Sequence, residues 1–332
     1  MRPLAANPHS NPEEFRCSAL WESELRWETT KRHRQIACSR LSSGSSITLV
    51  LGEDFAGCAG AKQLSTKSDD ERFQNGAREY AAYLETPEGR LRADLVFANL
   101  QDFLSPPDTK KLRRALDVGC GTGATAVRLA QLGFHVTQLD SSEAMLEIAR
   151  RTAEEAGATD RVALVHGDAA QLTSLFGSAS FDVVLCHNIL EYVDDPAIVL
   201  HNAARLLRDE SAILSIVVRN QVGEVFKAAI QAGDLGRAEA NLTAAWGFEP
   251  LYGGRVRLFT STGLQAMLKA ESLALIAERG IRVVADYLPA RISREAEYER
   301  IFKLEQKLGK RPEFAAVARY THCLARRMEN VA

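Results

Sequence analysis

The residues of this chain best suited to chemistry sit in one short stretch: Asp117, then Gly119, Gly121 and Gly123 at alternate positions, with Cys120 and Thr122 between them. Asp140 and Asp168 close the next two apolar runs, and His187 closes a fourth. Alternating glycines let a chain turn sharply and bring its backbone N–H groups against a ligand that a Cβ would obstruct. A carboxylate about 20 residues further on accepts hydrogen bonds from both hydroxyls of a ribose. The pattern points to a nucleotide-type ligand lying across a strand-to-helix turn. Asp117 reads as a carboxylate that orients the turn, and Cys120 as a small side chain where bulk is excluded.

Such a turn has to be held by a buried strand, residues 113–118, and by a helix starting near Thr122 whose Ala126, Val127, Leu129, Ala130 and Leu132 share one face. Gly133 ends that helix, residues 135–140 read as a second strand, and Ser141-Ser142-Glu143-Ala144 opens the next helix with a serine N-cap. Strands are expected over residues 162–167, 181–187 and 212–218, and a helix over 196–207. This alternation predicts an α/β fold with a doubly wound parallel sheet covered on both faces. Helices over residues 72–84 and 89–103 would cover the site from the amino-terminal side. Beyond Asn220 the rhythm changes: a helix over 222–232, a mixed segment over 235–258, a helix over 261–270, a long strand over 273–287, a helix over 293–308 and a last strand over 315–325. The mixed segment carries Trp246, Phe248, Tyr252, Gly253 and Gly254.

At 332 residues, with 46% hydrophobic and 25% charged residues, the chain has material for one substantial core plus appendages. Its formal net charge of -2 carries no global signal for nucleic acid. Cys17, Cys38, Cys58, Cys120, Cys186 and Cys323 form no C-x-x-C pair, which predicts reduced thiols in a cytoplasm and no metal site. No apolar run reaches the ~18 residues of a membrane span, so no membrane partner is expected. Residues 1–70, rich in proline, serine and asparagine, read as a disordered extension.

Two ligands compete for the glycine turn. Gly119-x-Gly121-x-x-Ala124, with Asp140 at the right separation, fits a dinucleotide fingerprint and an NAD(P)-binding oxidoreductase. Taken with Asp117 and Gly123, the later segments Val165-His166-Gly167-Asp168-Ala169 and Phe181-Asp182-Val183-Val184-Leu185 resemble, in order, the motifs of the class I S-adenosylmethionine-dependent methyltransferases. The resemblance implies a Rossmann-like, seven-stranded, mostly parallel sheet whose last strand is antiparallel, with an insertion after strand five and S-adenosyl-L-methionine as cofactor. It puts the methionine end against Gly119, Cys120 and Gly121, the ribose on Asp140, and the adenine amino group on Asp168 with the backbone of Ala169 alongside. The segment from His187 to Val193 would lie under the cofactor and face the donor methyl.

The flanks are similar to the tRNA wobble-uridine carboxymethoxy methyltransferases: Tyr83-Leu84-Glu85-Thr86-Pro87-Glu88-Gly89-Arg90-Leu91-Arg92, then His187 with Leu190-Glu191, then residues 280–288, then Arg319-Tyr320-Thr321-His322. Arg92 matches that family's cofactor-binding arginine. This organises the chain as a cofactor-binding core over 110–220, a substrate-side insertion over 221–260 and completion of the sheet over 261–332.

Methyl transfer needs a nucleophile held in line at ~3–3.5 Å in a water-poor site more than it needs a strong acid. A carboxylate acceptor needs no base, whereas an amine, phenol or carbon acceptor does, and His187 is the best-placed candidate for that work. By the resemblance, His187 instead contacts the cofactor. Glu191 would support the loop or orient the acceptor, and Arg282, Tyr287 and His322 are further substrate-side candidates. The acceptor is either a modified tRNA nucleoside or a small molecule. Between residues 221 and 259 the only basic residues are Lys227, Arg237, Arg255 and Arg257. Phosphate contacts supply most nucleic-acid affinity, so an RNA acceptor requires that folding gather these charges.

Overall fold

A computed structural model describes residues 69–105, 112–251 and 253–328; the expected extension up to residue 68, and Tyr252 of the mixed segment, lie outside the described residues. The described chain opens with two helices, α1 (Asp69–Glu85) and α2 (Pro87–Gln101). Pro87 sits at the first position of α2, where its missing N–H costs nothing, and the Thr86 hydroxyl accepts from the Gly89 amide at 3.1 Å.

The expected alternation follows: β1 (Arg113–Val118), α3 (Ala124–Gln131), β2 (Phe134–Asp140), α4 (Glu143–Glu155), β3 (Val162–His166), α5 (Leu172–Leu175), β4 (Val183–His187), α6 (Pro196–Leu206) and β5 (Ile213–Arg219). After β5 come α7 (Gln221–Phe226), α8 (Leu235–Asn241), the hairpin β6 (Trp246–Glu249) and β7 (Gly254–Arg257), and α9 (Ser261–Ala270). The chain closes with β8 (Leu273–Ile281), α10 (Tyr298–Gly309), α11 (Pro312–Ala315) and β9 (Tyr320–Arg327).

The seven-stranded sheet has the order β3-β2-β1-β4-β5-β9-β8, parallel throughout except for β9, which runs antiparallel to both neighbours. This is the Rossmann-like arrangement expected from the sequence. Strand periodicity of two divides its core. Leu116 and Val118 of β1 pack with Val199, Leu200, Leu264 and Leu268 of α6 and α9, while Ala115 packs on the other face with Ala126, Leu129 and Leu100 of α3 and α2. Strand order reverses between β1 and β4, and a crevice opens at the carboxyl ends of strands flanking such a switch point.

Four boundaries differ from the sequence pattern. The long strand expected to reach residue 287 ends at Ile281, because the buried Glu305 carboxylate of α10 accepts from the amides of Val283, Val284 and Ala285 at 2.6, 2.9 and 2.7 Å and pulls the chain off the sheet. α10 starts at Tyr298, five residues later than expected, after turns led by Ser293. The last strand starts at Tyr320 because Pro312 opens a helical turn instead. The helix expected over 222–232 is α7 followed by one wide turn, Lys227–Gln231.

Candidate functional site

At the switch point the chain leaves β1 through three glycines in the left-handed region, Gly119 (φ 67°), Gly121 (φ 54°) and Gly123 (φ 77°), where side chains are strained. Gly119 and Gly121 have the further need for closeness: a Cβ on Gly119 would lie 2.7 Å from Ile189 Cδ1, and one on Gly121 3.1 Å from the Tyr80 ring. Both glycines line a cavity of about 930 Å³, near the top of the ~300–1,000 Å³ range of ligand pockets. Arg92, Asp140, Asp168, Ala169 and His187 line it too.

Asp117, Cys120 and Gly123 do not line this cavity. A Cβ on Gly123 would fall 2.4 Å from Gln138 Nε2 and 3.1 Å from Ala149, so this glycine serves the packing of the turn on β2 and α4. Asp117 is buried, and burial together with the neighbouring Asp140 charge pushes its carboxyl up to about 7. Asp140, rather than Asp117, ties down the turn: its Oδ2 accepts from the Gly121 amide at 2.8 Å and its Oδ1 from the Ser142 amide at 2.9 Å. Burial raises the Cys120 thiol, with Asp140 and Asp117 adding to it, so this cysteine is no nucleophile at neutral pH.

Asp140 lines the cavity, and the two oxygens of a carboxylate can accept more bonds than these two. Asp168, exposed two residues past β3, caps the next turn by accepting from the Ala170 amide at 2.8 Å through Oδ1. Arg92 projects from α2 with its Nη2 donating to the Tyr80 hydroxyl at 2.8 Å, and its guanidinium lies 5.6, 5.2 and 5.7 Å from the ring centres of Tyr80, Tyr83 and Tyr320.

His187 ends β4 with its Nε2 2.7 Å from the Ser215 hydroxyl, which in turn lies 2.9 Å from His322 Nε2. His322 is wholly buried beneath the cavity, and its Nδ1 has no hydrogen-bond partner. Burial and the Arg92 charge bring His187 down to about 3, so the imidazole is neutral at physiological pH. In the following loop Asn188 adopts φ 54° and donates to Glu191 Oε1 at 2.8 Å, and the Arg219 amide donates to the same oxygen at 2.9 Å. Of the remaining substrate-side candidates, Arg282 lines the cavity, whereas Tyr287 and His322 do not.

A second set of residues completes the cavity beyond the glycine turn. Arg219, Arg282 and Arg319 join Arg92 around Tyr320, which starts β9 opposite Arg219 in register. Glu224 accepts from Arg319 at 2.5 Å and from Arg219 at 3.3 Å, Glu249 pairs with Arg219, and Asp286 accepts from Arg282 Nε at 2.7 Å. Arg282 also donates to the Tyr83 hydroxyl at 2.8 Å. Burial alone would raise the Tyr320 phenol; the charges of Arg219, Arg92, Arg282 and Arg319 overcome it and bring the phenol down to about 8. At the Tyr320 hydroxyl the arginines therefore outweigh burial even with the neighbouring carboxylates in place. Sequence reasoning singles out Arg92 and Arg282 but misses Arg219 and Tyr320 as cavity residues. A charged residue closing the apolar run of β5 is the available signal for Arg219.

The site fits S-adenosylmethionine: two glycines where a Cβ would fill the cradle, a half-buried carboxylate at the end of β2 that lines the cavity, and the Arg92 guanidinium in the same lining. A family profile for methyltransferase domains matches residues 116–215. The chain is 27% identical over 269 residues to the tRNA 5-carboxymethoxyuridine methyltransferase of Escherichia coli strain K12, covering 79% of this chain and 98% of that protein. It is 41% identical over 99 residues to the ubiquinone biosynthesis O-methyltransferase of Paracidovorax citrulli, 29% of this chain and 40% of that one. In fold it is similar to magnesium protoporphyrin IX methyltransferase from Synechocystis PCC 6803, with a TM-score of 0.53 at 16% identity over 78% of this chain and 98% of the other. These matches favour a methyl donor over a dinucleotide at the glycine turn, and the chain is an S-adenosylmethionine-dependent methyltransferase with S-adenosyl-L-methionine as its methyl donor.

Proposed function

We propose that this enzyme methylates an anionic oxygen, a carboxylate, carried on a modified tRNA nucleoside. The observation that carries the reading is the arginine-ringed end of the cavity. Arg92, Arg219, Arg282 and Arg319 converge on Tyr320 there, and their field outweighs burial at the phenol. With Arg92 given to the cofactor, Arg219, Arg282 and Arg319 remain at that end to draw an anionic acceptor, and a planar carboxylate suits guanidinium forks. The similarity to the Escherichia coli tRNA enzyme along almost that protein's whole length supports the choice of bearer.

When bound, S-adenosylmethionine supplies an electrophilic methyl on a sulfonium. The chain's residues hold and align. In this reading Arg92 takes the cofactor's carboxylate, Gly119 and Gly121 present their backbone to its methionine end, Asp140 accepts from the ribose hydroxyls, and Asp168 with the Ala169 backbone meets the adenine. Tyr80 and Ile189, packed against the glycines, keep water from the reacting centre. His187 donates or accepts as a neutral wall residue. A group brought down to about 3 is too weak a base to deprotonate an amine or phenol at neutral pH, and a carboxylate acceptor needs no such base. Residues 110–220 form the cofactor half, 221–260 a substrate-side insertion and 261–332 the completion of the sheet. The described cysteines, Cys120, Cys186 and Cys323, are all free thiols, in keeping with a cytoplasmic enzyme.

The test is incubation with methyl-labelled S-adenosylmethionine and, in separate reactions, undermodified bulk tRNA and a small-molecule extract. Label is expected in tRNA, at a base-labile ester. Label confined to the small-molecule fraction would overturn the tRNA reading, and a base-stable product would overturn the carboxylate.

A further inference from the structure

Folding gathers two of the four scattered basic residues of the insertion. In the β6–β7 hairpin Trp246 pairs with Arg257 and Phe248 with Arg255, and strand periodicity puts these four side chains on one face. The alternate residues turn inward: Val256 is fully buried, Glu249 is buried in its ion pair with Arg219, and a Cβ on Gly247 would meet Leu258 at 3.1 Å. The hairpin is fixed at its base, where Gln221 Nε2 donates to the Ala244 carbonyl at 2.9 Å and the Leu258 amide to the Ala245 carbonyl at 2.9 Å.

The outward face is aromatic and cationic. Phe248 is 52% exposed and Trp246 37%, and the guanidiniums of Arg255 and Arg257 lie 4.1 and 4.6 Å from the Trp246 ring centre. A third arginine, Arg72 of α1, lies against the hairpin at Gly254, where an added Cβ would sit 2.6 Å from its Nη1. The platform adjoins the cavity mouth: Glu249, Pro250 and Leu251 line the cavity. Arg257 bonds the loop on the mouth's other side, its amide donating to the Glu191 carbonyl and its Nη2 to the Asp194 carbonyl, each at 3.1 Å.

We propose that this outer hairpin face is a stacking platform for single-stranded RNA next to the nucleotide being methylated. Exposed rings offer a π-face to any unstacked base, and guanidiniums beside them meet the adjoining phosphates. A purely apolar partner would satisfy the rings but strand the guanidiniums, so charge complementarity favours the polyanion. The proposal rests on the tRNA reading of the acceptor, and it names the surface that makes up for the few basic residues of the insertion.

The test measures binding of a fluorescein-labelled single-stranded heptauridylate by anisotropy, with S-adenosylmethionine affinity by calorimetry and size-exclusion chromatography alongside. W246A/F248A is expected to weaken RNA binding roughly tenfold to a hundredfold, with cofactor affinity and elution volume kept. R255Q, at an exposed position that needs no refolding, is expected to flatten the logarithmic salt dependence by about 0.7 for each phosphate that is no longer neutralised. Equal RNA affinity and salt slope in wild type and variants would overturn the platform while leaving tRNA methylation intact. An absence of RNA binding by wild type would overturn it too, and label confined to small molecules in the transfer assay would then remove the tRNA reading as well. A shift of W246A/F248A from dimer to monomer would assign the face to a second copy of the chain and overturn the RNA assignment.

Discussion

Replacing Ser215 with alanine removes the one group that hydrogen-bonds both His187 and His322. The hydroxyl is wholly buried in β5, and a methyl in its place offers neither ring a partner. A buried polar group left without its partner costs about 1–3 kcal/mol, so two imidazole nitrogens together predict a loss of roughly 2–6 kcal/mol. His322 would then have no partner at either nitrogen, since its Nδ1 already lacks one. For a domain near this size each kcal/mol lowers Tm by ~2–4 °C, so S215A is expected to melt roughly 4–24 °C below wild type in a calorimetric scan.

The same chain of bonds selects a tautomer. A hydroxyl has a single proton to give, so Ser215 donates to one histidine and accepts from the other. Orphaned buried N–H groups are rarer than orphaned acceptors, which puts the His322 proton on Nε2 and leaves its Nδ1 as the bare acceptor. Ser215 then donates to His187 Nε2, and His187 carries its proton on Nδ1, available to the cavity. Nitrogen-15 NMR of labelled wild type should report His187 protonated at Nδ1 alone, and S215A should report a mixture. A wild-type His187 protonated at Nε2, or an S215A melting within about 1 °C of wild type, refutes the arrangement.

Three further outcomes follow from the glycine turn and its carboxylates. D140A removes both the tie to the Gly121 amide and the proposed ribose acceptor, and cofactor affinity measured by calorimetry should fall at least tenfold to a hundredfold; unchanged affinity would displace the ribose from this residue. G123A should cost about 2–5 kcal/mol, from left-handed strain plus a Cβ placed 2.4 Å from Gln138 Nε2, whereas G133A, with φ 89° and nothing within 4 Å, should cost only the ~1–2 kcal/mol of strain; equal denaturation midpoints would contradict the packing role. Asp117, pushed up to about 7, keeps its proton between pH ~4 and ~7 where the unfolded chain, with a carboxyl near ~3.9, has lost it, so its contribution to stability is full below pH ~4 and fades as pH rises through ~7. D117N abolishes that dependence, and between pH 5 and 8 wild type should lose about 3 kcal/mol relative to it in urea titrations; parallel pH profiles would place the Asp117 carboxyl at an ordinary value.

The division between what is legible in the sequence and what is not follows the length of chain over which each feature is decided. The glycine turn, Asp140 and Asp168 are local: each sits at the end of an apolar run, and the sheet's order follows from repeated strand-helix units. The arginine-ringed end of the cavity is not local. Arg219 and Tyr320 become neighbours only because β9 enters antiparallel between β5 and β8, and the same insertion sets His322 beneath His187 across Ser215. Nothing in the periodicity of residues 315–325 announces that pairing. The end of β8 is likewise set from a distance, by Glu305 of the next helix taking three backbone amides that an extended strand would have used in its ladder. Even the misassigned tie of the glycine turn has this origin. Asp117 is adjacent in sequence, but parallel pairing of β1 with β2 places Asp140 one position beyond the Val118–Leu139 pair, where its carboxylate reaches the Gly121 amide. The glycine turn and its carboxylates are thus readable from contiguous motifs, whereas the arginine-ringed end of the cavity is written in residues that only the last strand brings together.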